Sequence, residues 1–106
     1  MATLNCNLYS NVGTTPVEIL STDSSKIITI LGLNLCNKSN AYAYVDGYFI
    51  RGGNSFFVFK NLAVEPETTV VAIGDNQRLI LNNNTAMYIR STSNSSIDVI
   101  ASVAQS

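Results

Sequence analysis

Seven carboxylates, Glu18, Asp23, Asp46, Glu65, Glu67, Asp75 and Asp98, are the groups in this chain whose type suits paired acid and base chemistry. Their placement does not favour it. Asp23 and Asp75 fall in turn sequences, and Glu65 and Glu67 flank Pro66 in a solvated loop. Asp98 lies inside the last apolar segment, pointing away from the core, and reads as a hydrogen-bonded strand residue rather than a catalytic or calcium-binding one. The chain has no histidine, so the commonest general base, triad partner and zinc ligand is missing. Cys6 and Cys36 without histidine or nearby paired acids make no metal site, and Cys36 has no local base to activate it; both read as free thiols, with an intrachain bond as the alternative. Gly52-Gly53 is too short to cradle a phosphate. The expectation is a protein that is not an enzyme and needs no cofactor or metal.

Binding chemistry is better represented. Tyr42, Tyr44 and Tyr48 form a candidate aromatic row, suited to anchoring a subunit interface or stacking on sugar rings, with cross-strand packing inside one chain as the plain alternative. The matches to the N-glycosylation pattern at Asn37, Asn83 and Asn94 are what an Asn- and Ser-rich chain produces by chance.

The composition points the same way. Hydrophobic residues make up 46% of the chain and charged residues 12%, about half the usual charged share. Little charge repulsion then opposes self-association. The six Lys and Arg residues are scattered and the net charge is −1, which excludes the clustered cations that nucleic acid needs. No apolar run approaches the length of a membrane span, and the first residues lack the pattern of a signal peptide.

The elements that must carry these residues read as strands throughout. At 106 residues the chain fits one core. Residues 1–15 read as an N-terminal arm, pairing along a sheet edge or reaching a neighbouring subunit, and residues 16–106 as a β-sandwich domain. The segments are 17–21, 26–36, 41–50, 55–60, 68–73, 79–81, 85–91 and 96–103, cut by Asn, Gly, Ser and Asp. The fold class expected is all-β: a single antiparallel β-sandwich, jelly-roll-like, with about eight short strands and an extended N-terminal arm.

In segment 26–36, Ile27, Leu31, Leu33 and Leu35 read as the core face. Ile28 and Ile30 then need a cover from the arm or another subunit, and mid-strand Gly32 suggests a bulge. Continuation of the 41–50 strand past a bulge at Asp46-Gly47 is favoured over a hairpin there, and Gly52-Gly53 is the better turn. Segment 55–60 reads as buried on both faces. The expected interface residues are Ile28, Ile30, Tyr42 and Tyr44, with Leu4, Leu8 and Tyr9 of the arm.

Several segments resemble a known family. The strand Ile30-Leu31-Gly32-Leu33-Asn34-Leu35-Cys36-Asn37 ends in Asn, and a strand followed by an apolar-x-Pro loop runs from Val58 to Pro66. The strands around residues 73–91 follow, with the terminal strand Ile97-Asp98-Val99-Ile100-Ala101-Ser102-Val103. Together they are similar to the small β-sandwich virion structural proteins of tailed bacteriophages: capsid decoration or cement, fibre-base and tail-associated domains. Asn82-Asn83-Asn84 departs from the Gly-Asp turn often found there. The resemblance implies a virion location and a homo-oligomer, with a trimer favoured, docked on major capsid or tail proteins. A small carbohydrate-binding sandwich using the tyrosines is the alternative.

Overall fold

The computed structural model of the chain describes residues 3–74, 77–92 and 96–106. Nine strands account for its regular structure: β1 (Thr3–Val12), β2 (Val17–Ser21), β3 (Ile28–Asn37), β4 (Ala43–Arg51), β5 (Asn54–Val64), β6 (Thr68–Ile73), β7 (Leu79–Leu81), β8 (Ala86–Ser91) and β9 (Ile97–Gln105). They form two packed antiparallel sheets. Sheet A runs β1-β9-β3-β6, with β7 also on β3, and sheet B runs β2-β8-β4-β5. Setting β7 aside, the pairs β1–β9, β2–β8, β3–β6 and β4–β5 nest inside one another and alternate between the sheets. One long hairpin has thus been rolled over on itself, which makes this sandwich a jelly roll.

Alternation builds the layers. In β9, Ile97, Val99, Ala101 and Val103 point inward, and in β8 Met87 and Ile89 do so; all are at most 2% exposed. The turn expected at Gly52-Gly53 joins β4 to β5. Arg51 pairs with Asn54 across it, and both glycines have positive φ (60° and 80°), as a two-residue hairpin loop requires. The turn at residues 22–25 is held by Asp23, whose Oδ1 accepts hydrogen bonds from the amides of Ser25 and Lys26. The expected turn residues Asp75 and Asn76, and the sequon residue Asn94, lie outside the described residues.

Three expectations need correction. Ile28 and Ile30 are not on an outer face: they are 4% and 0% exposed and belong to the core. The register of β3 against β9 slips between Ile30 and Gly32, so one residue drops out of the alternation. Ile28 and Ile30 face inward before the slip, Leu33 and Leu35 after it, while Leu31 is only half-buried and Ile27 is exposed.

Second, β5 is not buried on both faces. It is an edge strand of sheet B with Phe56 and Phe57 exposed, and it continues through Leu62 to Val64 instead of ending at residue 60. Asn61 takes a left-handed conformation (φ 55°), and its amide donates to Asp46 Oδ1 at 2.8 Å, so the strand absorbs it as an irregularity. Nearby, Gly47 lies in mid-strand because the Phe59 ring occupies the space of its side chain. A Cβ there would meet Phe59 ring carbons at 2.6 and 2.9 Å.

Third, from Thr3 the expected arm is itself a strand, β1, one more than the eight expected. It takes the edge-pairing alternative, lying along β9, and Val12 enters the core at 1% exposed.

Five of the described polar side chains are buried, and one of them is enclosed completely. Asn37 is fully buried; its Nδ2 donates to the carbonyls of Ala41 (2.9 Å) and Val64 (3.0 Å), and its Oδ1 accepts from the Ser39 amide (3.0 Å) and hydroxyl (2.8 Å). This sequon asparagine is therefore structural, with no free amide to modify.

Candidate functional site

The outer faces of the two sheets differ in chemistry. In the five strands of sheet A the single charged residue is Asp98, at one end, where it pairs with Lys38 Nζ at 3.0 Å and accepts from the Asn11 amide at 3.1 Å. The four strands of sheet B carry five: Glu18, Asp46, Arg51, Lys60 and Arg90.

Register assembles the sheet A face from separate strands. Leu8, Ile100, Asn34 and Val71 lie side by side across β1, β9, β3 and β6. Leu4, Ala104, Thr29 and Ile80 form a second row across β1, β9, β3 and β7. Cys6, Ser102 and Gly32 lie between them. Leu4 is 73% exposed, Leu8 68%, Val71 63% and Ile80 58%, unusually high for branched aliphatic side chains lying in rows. Leu31, turned off the core by the slip at Gly32, stands between two shallow depressions of this face, one beside Leu4 and Cys6 and one beside Asn34 and Val71.

The sheet B face is organised by aromatic rings and charge. The Tyr48 ring stacks on Tyr88 (5.9 Å between centroids, 14° between planes) and leans on Phe57 (5.1 Å), and Lys60 Nζ sits 4.6 Å over the Phe57 ring. Tyr48 is thus used in cross-strand packing, while Tyr42 and Tyr44 are exposed. The Tyr88 hydroxyl donates to Glu18 Oε1 at 3.2 Å, and that bond together with the nearby negative charge raises its pKa.

Asp46 is the buried charge of this sheet, 6% exposed, with Oδ2 accepting from Arg90 Nε at 3.0 Å. Burial alone would raise its carboxyl, but the Asn61 amide and the Arg90 guanidinium outweigh it and hold the group below its ordinary value. Asp23 is held low as well, by the Ser25 amide and hydroxyl and the Lys26 amide. Groups with depressed folded-state pKa values stabilise the fold above their unfolded values and lose that contribution as pH falls through the folded ones. With no histidine in the chain, stability is expected to be flat between about pH 6 and 8 and to decline from about pH 4 downward. Asp46→Asn should cost about 1–3 kcal/mol at neutral pH, with the gap to the parent protein narrowing in acid, as urea titrations at each pH will read.

The positions singled out in the sequence divide accordingly. Leu4 and Leu8 join the sheet A face, whereas Tyr9 is half-buried, its hydroxyl donating to the Ile19 carbonyl at 2.8 Å. Tyr42 and Tyr44 belong to the opposite sheet, and Ile28 and Ile30 to neither face. Leu31, Val71, Ile80 and Ile100 were missed. Strict alternation along 96–103 already turned Ile100 outward, whereas Val71 shares its parity with the buried Ile73 and faces out only because β6 slips against β3 between them.

The groups that could do chemistry stay apart. Cys6 and Cys36 share the sheet A face, but their β9 partners are Ser102 and Asp98, about 13 Å apart along the strand, too far for a disulfide. Among the described residues no group of three His, Cys, Asp or Glu could hold a metal ion, and no helix is long and apolar enough to cross a membrane. A cleft of about 610 Å³ opens between β5 and the β6–β7 side, lined by Phe49, Phe56, Val58, Ala72, Leu79 and Arg78, an apolar groove with one guanidinium at its rim. Compared with known proteins, the chain matches no family model, no curated protein and no solved structure.

Proposed function

We propose that this chain is a non-catalytic assembly domain that docks through the outer face of sheet A. The observation that carries the reading is the charge asymmetry: one neutralised carboxylate in the five strands of sheet A against five charged residues in sheet B. Four strands spaced about 4.8 Å apart and roughly nine residues long span about 600 Å². That approaches the ~800 Å² per partner of a standard interface.

In its specific form the proposal is a virion structural protein of a tailed bacteriophage, as the family resemblance implies, with capsid decoration or cementing ahead of a tail, baseplate or fibre-attachment role. Jelly rolls serve both viral capsids and lectins, so the fold leaves both open. The exposed Tyr42 and Tyr44 favour carbohydrate binding as a second reading.

Light scattering at tens of micromolar, binding to purified capsids and tails, and a glycan array separate the two. The assembly reading expects binding to capsids or tails that Val71→Ser with Ile100→Ser abolishes and Tyr42→Ala with Tyr44→Ala leaves intact. A monomer that binds neither particle, or glycan binding lost with the tyrosines, overturns it.

A further inference from the structure

Besides the three-residue β7, the two sheets expose four edge strands, and three of them carry protection. β2 has Glu18 and a register slip after it; β5 has Lys60, register slips and the left-handed Asn61. β6 has six residues, broken by a register slip between Val71 and Ile73 and preceded by Glu67 with φ 54°. Charge, shortness and bulges are the means by which edges are kept from pairing with other chains.

The fourth edge, β1, has none of these over its first seven residues. From Thr3 to Tyr9 it is uncharged and in unbroken register with β9. Among the described residues β9 is its only strand partner, so the backbone groups on its other side face outward. The irregularity comes after Tyr9, where Asn11 takes φ 59°.

The sequence of this stretch is self-complementary. Leu4-Asn5-Cys6-Asn7-Leu8 reads the same in both directions, and Cys6 is the midpoint of residues 3–9. Two such strands set antiparallel about a two-fold axis through Cys6 would place Leu4 opposite Leu8, Asn5 opposite Asn7, and Cys6 opposite Cys6. Apolar then meets apolar on the outer face, amide meets amide on the inner one, and no like charges are opposed.

We infer that the partner at this edge is a second copy of this chain, its β1 added antiparallel to the first with the register centred on Cys6. The pairing joins two A sheets into one continuous sheet and makes their apolar faces contiguous, Leu8 of each copy carrying the row that begins at Val71 and Ile100. It rests on the assembly reading above and adds to it the partner and the register.

Engineered thiols test the register in a Cys6→Ser, Cys36→Ser background, with diamide as oxidant taking up the two electrons and two protons of each disulfide. Leu4→Cys mixed with Leu8→Cys should cross-link rapidly, because positions 4 and 8 are opposite. Either variant alone should not, since like positions then lie four residues apart, about 13 Å. In the parent chain, Cys6→Lys should return the dimer to monomer by opposing two ammonium groups on the axis, while at concentrations too low for the parent to dimerise the two proteins should melt alike.

A dimer that persists in Cys6→Lys, or thiols that cross-link alone as fast as when mixed, overturns the β1 pairing and leaves docking through the sheet A face standing. A parent chain that stays monomeric at all concentrations also overturns the pairing. The assembly reading falls with it if binding to capsids and tails is absent as well.

Discussion

Asn37→Ala is expected to lose about 3–5 kcal/mol of folding stability, a large share of the ~5–15 kcal/mol a domain has in total. The side chain makes four hydrogen bonds from a fully buried position, and two of its acceptors are the backbone carbonyls of Ala41 and Val64. Val64 is itself fully buried, so its carbonyl regains little from water once the amide is gone. Asn37 also ties the end of β3 in sheet A to the end of β5 in sheet B, so its loss loosens the seam between the layers. Asn37→Asp separates hydrogen bonding from volume: it keeps the size but sets a carboxylate against two carbonyls, and should cost at least as much as alanine. Urea unfolding of both, beside Asn34→Ala on the outer face, checks the argument; a loss below about 1 kcal/mol for Asn37→Ala would refute it.

Ile30→Ala should cost about 2–5 kcal/mol, through lost burial and the cavity left behind. Its companion Ile80→Ala should change stability by no more than about 0.5 kcal/mol. The two isoleucines are neighbours on paired strands: Ile30 lies opposite Leu79, and Ile80 opposite Thr29. Adjacent positions point to opposite faces, so one is fully buried and the other 58% exposed. Equal costs in thermal or urea unfolding would mean that the slip at Gly32 does not set the faces of β3.

That slip marks the boundary of what the sequence made legible. β2, β6 and β7 have the bounds read from alternation and turn residues, and the inward faces of β8 and β9 follow from strict period two. In β3 a single residue out of phase exchanges the two faces, and with aliphatic residues on both, periodicity has nothing to anchor it. Gly32 signalled the bulge but not the direction in which the phase shifts. β5 was cut short because Asn61 carries a turn signal locally, whereas the structure holds it within a strand through Asp46, fifteen residues earlier in the chain. The edge pairing of β1 depends on β9, some ninety residues away, which no local pattern contains. The docking face was half-visible for the same reason: Leu4 and Leu8 stood out in a polar segment, while Val71, Ile80 and Ile100 were hidden among core residues of identical type.

The nesting of the strand pairs has a kinetic consequence. The β4–β5 hairpin closes across two glycines, so it forms with little loop entropy, and each closure brings the next enclosing pair nearer: β3 with β6, then β2 with β8, then β1 with β9. Folding by this route runs from the inside of the roll outward, and opening reverses it. The outermost strand is then the last to lock and the first to fray, so in the monomer amide exchange should be fastest in β1 and slowest in the β4–β5 hairpin.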